Sequence, residues 1–273
     1  MVRGVSSPLR RLADVTAFVA VWMALGLAFR LDGNGYLLVG VPLTLVFQAL
    51  VRRQPIRALW LRDAPPFHLD VAGILIAVAL LVVPAYLLVV TVRGAAPRAV
   101  LGVLLAAMGG AVAAAYAIQA FRRSTWWALA LCMATAGVIA VVLMRFGAAG
   151  AAAHHAPGAM LAIGVRSFLL YLPIVFVLEE VTFRGALDAH VHREGERGGV
   201  LSAVAVSALW GVWHYPIAPA GPLVATIGQL LLLHVPVGVF LSIYWRKSGN
   251  LAVPGATHAF MDSVRNATLS STL

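Results

Sequence analysis

The chain has 273 residues, of which 62% are hydrophobic and 11% charged, and its mean hydropathy is +0.92. Soluble domains carry about 45–50% apolar and about 25% charged residues, so this composition excludes an ordinary soluble globular protein. The 20 basic residues outnumber the 10 acidic ones. The arginines stand in pairs between apolar stretches, as the positive-inside rule expects of a membrane protein, and this argues against nucleic acid as a partner.

At about 20 residues of helix per membrane crossing plus a connection, the length allows eight or nine spans. The predicted fold class is an all-α, polytopic transmembrane helical bundle of eight to nine spans in the lipid bilayer. The second and the last apolar segments are short for a hydrocarbon core of about 30 Å, so either could be half-buried or tilted. In chain order the segments lie at residues 12–29, 35–51, 70–92, 99–120, 124–146, 160–187, 199–217, 222–245 and 251–268.

The first apolar segment follows Arg10 and Arg11 and by its position could be a signal peptide. It lacks a convincing small-residue cleavage site and a second span follows at once, so a retained signal anchor is expected. With the N-terminus in the cytoplasm, thirteen of the Arg and Lys residues fall in inside segments and five in outside segments. This asymmetry favours nine crossings with a cytoplasmic N-terminus, in what we expect to be a bacterial cytoplasmic membrane.

The distribution of polar residues divides the chain into two parts. Residues 1–150 contain five spans without a recognised motif, and residues 159–273 contain spans that carry ionisable side chains. Between them, residues 147–158 have low complexity and are interpreted as an outer loop. A charge near the bilayer centre costs at least about 2.5–3.5 kcal/mol on insertion scales, so each one in the second part requires an explanation.

The first polar group is Glu179-Glu180-Val181-Thr182-Phe183-Arg184, late in the sixth predicted span. Glu180 and Arg184 are separated by four residues, so they share a helix face and can form an ion pair. Glu179 is rotated by about 100° from Glu180 on an ideal helix and has no partner in its own span. It must therefore find a hydrogen-bond donor, a proton or a metal ion elsewhere.

The second and third polar groups lie in the seventh and the last predicted spans. His214 comes near the end of the seventh span, and His258 and Asp262 lie four residues apart on one face of the last span. An aspartate beside a histidine can fix its tautomer or raise its basicity. A lone intramembrane histidine is more often a satisfied core residue than a ligand. His234 is accordingly expected to hydrogen-bond a backbone carbonyl beside Pro236.

Taken together, the three groups predict one polar cavity among the last four spans. A carboxylate and imidazoles around a water molecule are suited to general-base hydrolysis, in which an imidazole donates a proton or stabilises an oxyanion. The same groups could instead hold Zn²⁺ with an activated water, and Glu179, His214 and His258 are then the candidate ligands. Counting about 1.5 Å per residue from the inner helix ends puts Glu179 and His258 roughly 12–14 Å deep, but His214 roughly 22 Å deep.

The polar groups resemble the motifs of a known family. LEEVTFRGAL, which contains Glu179–Arg184, resembles the EExxxR motif of the CAAX prenyl endopeptidase type II and bacteriocin-processing (CPBP, or Abi) intramembrane proteases. Trp210–His214 is similar to the second motif, an aromatic residue followed after three residues by histidine, with Trp where Phe is common. His258–Asp262 resembles the third motif, HxxxN or HxxxD. The resemblance covers roughly residues 160–268.

The resemblance implies an intramembrane endopeptidase that cleaves a membrane-embedded or lipidated peptide or protein. By motif position, Glu179 would be the catalytic carboxylate that activates water, and His214 would be its partner. His258 and Asp262 would shape the oxyanion site. Members of the family have been described both as metalloproteases and as glutamate-dependent proteases without a bound metal, so a zinc cofactor remains an open alternative.

By the same resemblance, Glu180 and Arg184 would support the helix that carries the first motif. A second interpretation of the polar groups is a non-catalytic membrane scaffold or bacteriocin-immunity factor, in which they only hold the fold together. A third is a proton-coupled transporter, since Glu and His chains also relay protons. The sequence contains no internal repeat and its polar groups are confined to three spans, which argues against the transporter.

Overall fold

The structure, a computed structural model, describes residues 7–147, 156–192 and 199–269. Within these ranges the chain is helical, and its β-structure is limited to an isolated bridge between Leu61 and Asn250. Most of the predicted outer loop, residues 148–155, lies outside the described residues. The long helices are α1 (Pro8–Ala28), α2 (Gly33–Arg52), α3 (Val71–Arg93), α4 (Arg98–Gln119), α5 (Arg123–Arg145), α6 (Pro157–Val175), α7 (Val200–Trp213), α8 (Leu223–Ser248) and α9 (Ala252–Leu269).

In the described ranges, eight helices are long and apolar enough to cross a membrane, namely α1 to α8, with α7 extended by a short 3₁₀ turn to Ile217. The prediction of an all-α, polytopic membrane protein with eight to nine spans is confirmed. The ninth predicted segment is α9, which is not among these eight helices and is the least apolar of the nine because it carries many polar side chains. Most of α9 is buried inside the protein, which is the environment that intramembrane polar residues require.

The prediction of one continuous sixth span over residues 160–187 is wrong. Helix α6 ends at Val175, a turn follows at residues 176–178, and the chain then continues as a π-helix over Val181–Asp188. Pro173 lies two residues before the end of α6 and cannot donate a backbone hydrogen bond. The indole of Trp60 donates to the carbonyl of Phe176 at 2.8 Å, so a carbonyl in the turn is satisfied from outside the helix.

We call residues 179–191 the motif segment, because it begins with the first polar motif. Its π-helix runs into a last short turn, Ala189–Val191. π-Helical turns are rare and occur frequently at functional sites. At Gly185 the backbone of Leu59 comes so close that a Cβ atom would clash with its carbonyl. The motif segment is therefore held against the loop that follows α2.

An aromatic cluster connects the N-terminal helices to the motif segment and to α7. The ring of Trp213 lies 4.8 Å from that of Trp22, 5.1 Å from that of Tyr36 and 5.4 Å from that of Phe183. The Tyr36 hydroxyl donates to the carbonyl of Trp213 at 2.8 Å, and the Trp22 indole donates to the carbonyl of Tyr36 at 2.8 Å. Helices α1 and α2 thus position the end of α7, where the second motif lies.

Candidate active site

Glu179 stands at the start of the motif segment and faces the second motif. Its Oε2 accepts a hydrogen bond from the Trp210 indole at 3.1 Å and lies 3.6 Å from Nε2 of His214. The Glu179 and His214 side chains are 19% and 20% exposed, so both can be reached from the adjoining cavity. The partner that Glu179 lacked in its own span is supplied by α7 and the residue that follows it.

The tautomer of His214 follows from its backbone contact. Nδ1 of His214 lies 2.9 Å from the carbonyl of Trp210. Because a carbonyl oxygen only accepts, Nδ1 carries the hydrogen, and in the neutral ring Nε2 is left with a lone pair. Nε2 of His214 and Oε2 of Glu179 then form two neighbouring acceptors. One water molecule can donate a hydrogen bond to each of them.

His258 lies between two carboxylates and links the first motif to the third. Its Nδ1 lies 2.8 Å from Oε1 of Glu180, and its Nε2 lies 3.6 Å from Oδ2 of Asp262. Asp262 in turn accepts from the Arg265 guanidinium at 2.8 Å. As predicted, His258 and Asp262 share one face of α9. The contact between His258 and Glu180 spans 78 residues of sequence.

Arg184 is fully buried beside Glu180. Its Nε lies 3.6 Å from Oε2 of Glu180, as the predicted ion pair requires, and its guanidinium stacks over the Trp210 ring at 4.6 Å. None of its three nitrogens has a hydrogen-bond partner in the part of the chain that the structure describes. The side chain is therefore held by charge and by a cation–π contact, and its positive charge lies within the first motif, beside Glu180.

A cavity of about 250 Å³ opens in front of these groups. His234 projects from α8 towards it, with its ring centroid 4.2 Å from that of His214, and its Nδ1 lies 2.6 Å from the Leu230 carbonyl. The sequence predicts a backbone hydrogen bond for His234 beside Pro236, whereas its acceptor is Leu230, six residues before that proline. The polar residues that line the cavity are Tyr171, Glu179, His214, His234, His258, Asp262 and Arg265.

The structure brings Glu179, His214, His258 and Asp262 to one cavity, but not by the helix geometry that the sequence indicates. Counting residues along ideal helices places His214 roughly 8–10 Å deeper than the other groups. The structure brings it to 3.6 Å from Glu179. The residues between Glu179 and the inner end of its segment form a π-helix, and a count that assumes regular α-helices does not describe such a segment.

Two contacts of the site were not predicted from the sequence. Trp210 was assigned only to the aromatic position of the second motif, yet its indole N–H binds the Glu179 carboxylate. Arg265 was not among the residues that the sequence predicted for the cavity, but it lies within α9, pairs with Asp262 and lines the cavity. The sequence indicated these contacts only by an aromatic residue four positions before His214 and by an arginine three positions after Asp262.

The arrangement does not present a metal site. Among the residues that the structure describes, no group of three or more His, Cys, Asp or Glu side chains could hold a metal ion. In particular, both ring nitrogens of His258 face the carboxylates of Glu180 and Asp262. Glu179, His214 and His258 therefore do not form a zinc ligand set in this geometry.

Fold and site together define a class of protein: a polytopic helical membrane protein with carboxylates and imidazoles around an internal cavity. Residues 161–264 match the family described as Type II CAAX prenyl endopeptidase Rce1-like. The match confirms the CPBP family over this part of the chain, which contains all three motifs, and with it a CAAX-protease-like membrane endopeptidase in general terms. No curated protein and no solved structure matches the chain.

Proposed function

We propose that this protein is an intramembrane endopeptidase that hydrolyses a peptide bond in a membrane-embedded or lipidated substrate. The observation that supports this most directly is the pair of acceptors formed by Glu179 Oε2 and His214 Nε2, 3.6 Å apart on the wall of a cavity. A water molecule between them would be oriented by both groups, with its oxygen directed towards a substrate in the cavity. Such general-base assistance contributes typically 10²–10⁴-fold to a rate.

In the proposed first step, the water oxygen attacks the carbonyl carbon of the scissile bond and Glu179 takes the released proton. The Trp210 indole keeps the carboxylate oriented through its 3.1 Å hydrogen bond. The product of this step is a tetrahedral intermediate with a negative oxygen. Its charge needs donors that are already in place, because preorganised donors cost no rearrangement during the reaction.

His258 and Arg265 are the groups proposed to provide those donors, and Asp262, which contacts both side chains, would position them. Glu180 holds Nδ1 of His258 at 2.8 Å, and this fixes the ring so that Nε2 lies at the cavity beside Asp262. The Arg265 guanidinium, 43% exposed, adds positive charge at the same wall. When the intermediate collapses, the C–N bond breaks and the proton on Glu179 passes, directly or through His214, to the leaving amine.

The test compares membranes of cells that express the wild type, Glu179→Gln or His214→Ala at matched levels. New protein termini in the membrane fraction are read by mass spectrometry. We expect a set of termini that is present with the wild type and lost with both variants. His68→Ala is the matched control, because His68 is an exposed histidine in the loop between α2 and α3 and should leave the termini unchanged.

The non-catalytic scaffold makes the opposite prediction in the same experiment. If Glu179→Gln restores the phenotype of a deletion strain and leaves every membrane terminus unchanged, the endopeptidase proposal is wrong. Loss of termini with His68→Ala as well would show that the readout follows expression rather than chemistry. Substrates identified in this way would then be tested with the purified protein.

A further inference from the structure

A second polar cavity, of about 410 Å³, lies at the arginine-rich end of the bundle, away from the candidate active site. We call it the arginine cavity. Its walls come from the start of α1, the end of α2, the loop after α2 and the end of the motif segment. Its polar lining consists of Arg11, Arg52, Gln54, Arg62 and His190.

The guanidinium of Arg52 is held in a defined position. Its Nη1 donates to the carbonyl of Gly185 and to Oε1 of Gln48, both at 2.7 Å. Gln48 is itself buried and donates to the carbonyl of Pro55 at 2.9 Å. Since both bonds use Nη1, the other nitrogens of Arg52 keep their donor capacity for a ligand.

Two carboxylates near the arginine cavity are engaged with other bases. Asp188 is buried and forms a bidentate ion pair with Arg246, whose nitrogens donate to its two oxygens at 2.7 and 2.9 Å. Asp14 lies 3.1 Å from Nε2 of His190. Within the described ranges neither Arg52 nor Arg62 forms an ion pair, and both side chains line the same cavity, where their like charges repel each other. Among the residues that the structure describes, the lining of the cavity therefore carries more positive than negative charge.

We propose that the arginine cavity binds a phosphate group, either in the headgroup of an anionic phospholipid or as a free phosphate. Planar guanidinium groups on separate elements can donate to several oxygens of one tetrahedral anion. Basic pockets between transmembrane helices on the cytoplasmic side are typical headgroup sites. A volume of about 410 Å³ exceeds the needs of one phosphate ion, and the exposed side chains of Leu50 and Val51 beside it can contact acyl chains.

Binding there would also act on the motif segment. Arg52 donates to Gly185 at 2.7 Å and Arg11 donates to the carbonyl of His190 at 3.2 Å, so two arginines of the cavity hold the segment that begins with Glu179. An anion would reduce the repulsion between the arginines and stabilise this end of the segment. The bound state is therefore expected to have the higher melting temperature.

The binding test uses the full-length protein in detergent, with native mass spectrometry after addition of phosphatidylglycerol or phosphatidylcholine. We expect the protein to retain phosphatidylglycerol and not phosphatidylcholine. Arg62→Gln should retain phosphatidylglycerol about tenfold more weakly, because it loses a charge-assisted hydrogen bond to the phosphate. Arg53→Gln is the matched control, because Arg53 carries the same charge next to Arg52, is exposed, and does not line the cavity.

Competition separates the two sources of the phosphate group. Displacement of the lipid by millimolar inorganic phosphate, with the same dependence on Arg62, would assign the site to free phosphate, whereas resistance to phosphate would assign it to the headgroup. Arg62→Lys keeps the charge without the planar fork and should retain part of the binding, which provides a second variant if Arg62→Gln does not fold. Equal losses in Arg53→Gln and Arg62→Gln, or no preference for phosphatidylglycerol, would overturn the proposal.

Discussion

The neighbouring residues Glu179 and Glu180 should respond in opposite ways to the same substitution. Glu180 is fully buried between Arg184, at 3.6 Å, and His258, at 2.8 Å. Glu179 is 19% exposed at the cavity. We expect Glu180→Gln to lower stability strongly, and Glu179→Gln to abolish turnover while the protein stays folded.

The magnitude follows from the charge that each substitution leaves behind. Without the carboxylate of Glu180, the buried guanidinium of Arg184 has no counter-charge, and removing one partner of a buried ion pair typically costs about 3–5 kcal/mol. At roughly 2–4 °C per kcal/mol for a domain of this size, the melting temperature would fall by about 6–20 °C. Glu179→Gln keeps an oxygen for the indole of Trp210 and leaves no buried cation, so its cost should stay below about 1 kcal/mol.

Thermal unfolding in detergent, followed by tryptophan fluorescence, measures the melting temperature of each variant. Cleavage of a substrate identified from the membrane termini measures its turnover. Turnover by Glu179→Gln should fall by about 10²–10⁴-fold, the usual contribution of a general base. The reasoning is refuted if Glu179→Gln lowers the melting temperature as much as Glu180→Gln does. It is also refuted if Glu180→Gln has the same melting temperature as the wild type.

Three further results are expected. Trp210→Phe keeps an aromatic ring but loses the indole donor to Glu179, so turnover should fall about tenfold; an unchanged turnover would show that the hydrogen bond does not orient the carboxylate. Asp262→Asn matches the other form of the third motif and should retain cleavage, whereas Asp262→Ala should lose it, and equal activity of both would remove Asp262 from the site. Because both ring nitrogens of His258 face carboxylates, chelation by 1,10-phenanthroline should leave purified activity unchanged, and a loss that zinc restores would mean that the ligands rearrange.

Much of the fold could be predicted from local sequence. Helix α3, Val71–Arg93, coincides with the apolar segment at residues 70–92 to within one residue at each end, because hydropathy summed over about 20 residues already determines whether a helix is stable in lipid. The pairs Glu180–Arg184 and His258–Asp262 were also predictable, since a spacing of four residues places two side chains on the same helix face.

The end of the sixth predicted span could not be predicted in this way. Residues 176–178, where the helix breaks, are as apolar as those of α6. The break is stabilised in part by contacts with distant residues, such as the hydrogen bond from Trp60 to the carbonyl of Phe176, 116 residues away. Because the hydropathy stays high across the break, the sequence favoured one long helix over residues 160–187.

The sequence alone determined that this chain is a helical membrane protein, which side chains are too polar to lie in lipid, and, through three motifs, the family to which they point. Only the tertiary structure decided how those side chains pair: Glu179 with Trp210 and His214, and Glu180 with His258. The hydrogen bonds of Glu179 with Trp210 and of Glu180 with His258 join residues 31 and 78 positions apart. Their geometry depends on where one helix breaks and how two others pack, and both are set by contacts across the whole bundle rather than by any local stretch of sequence.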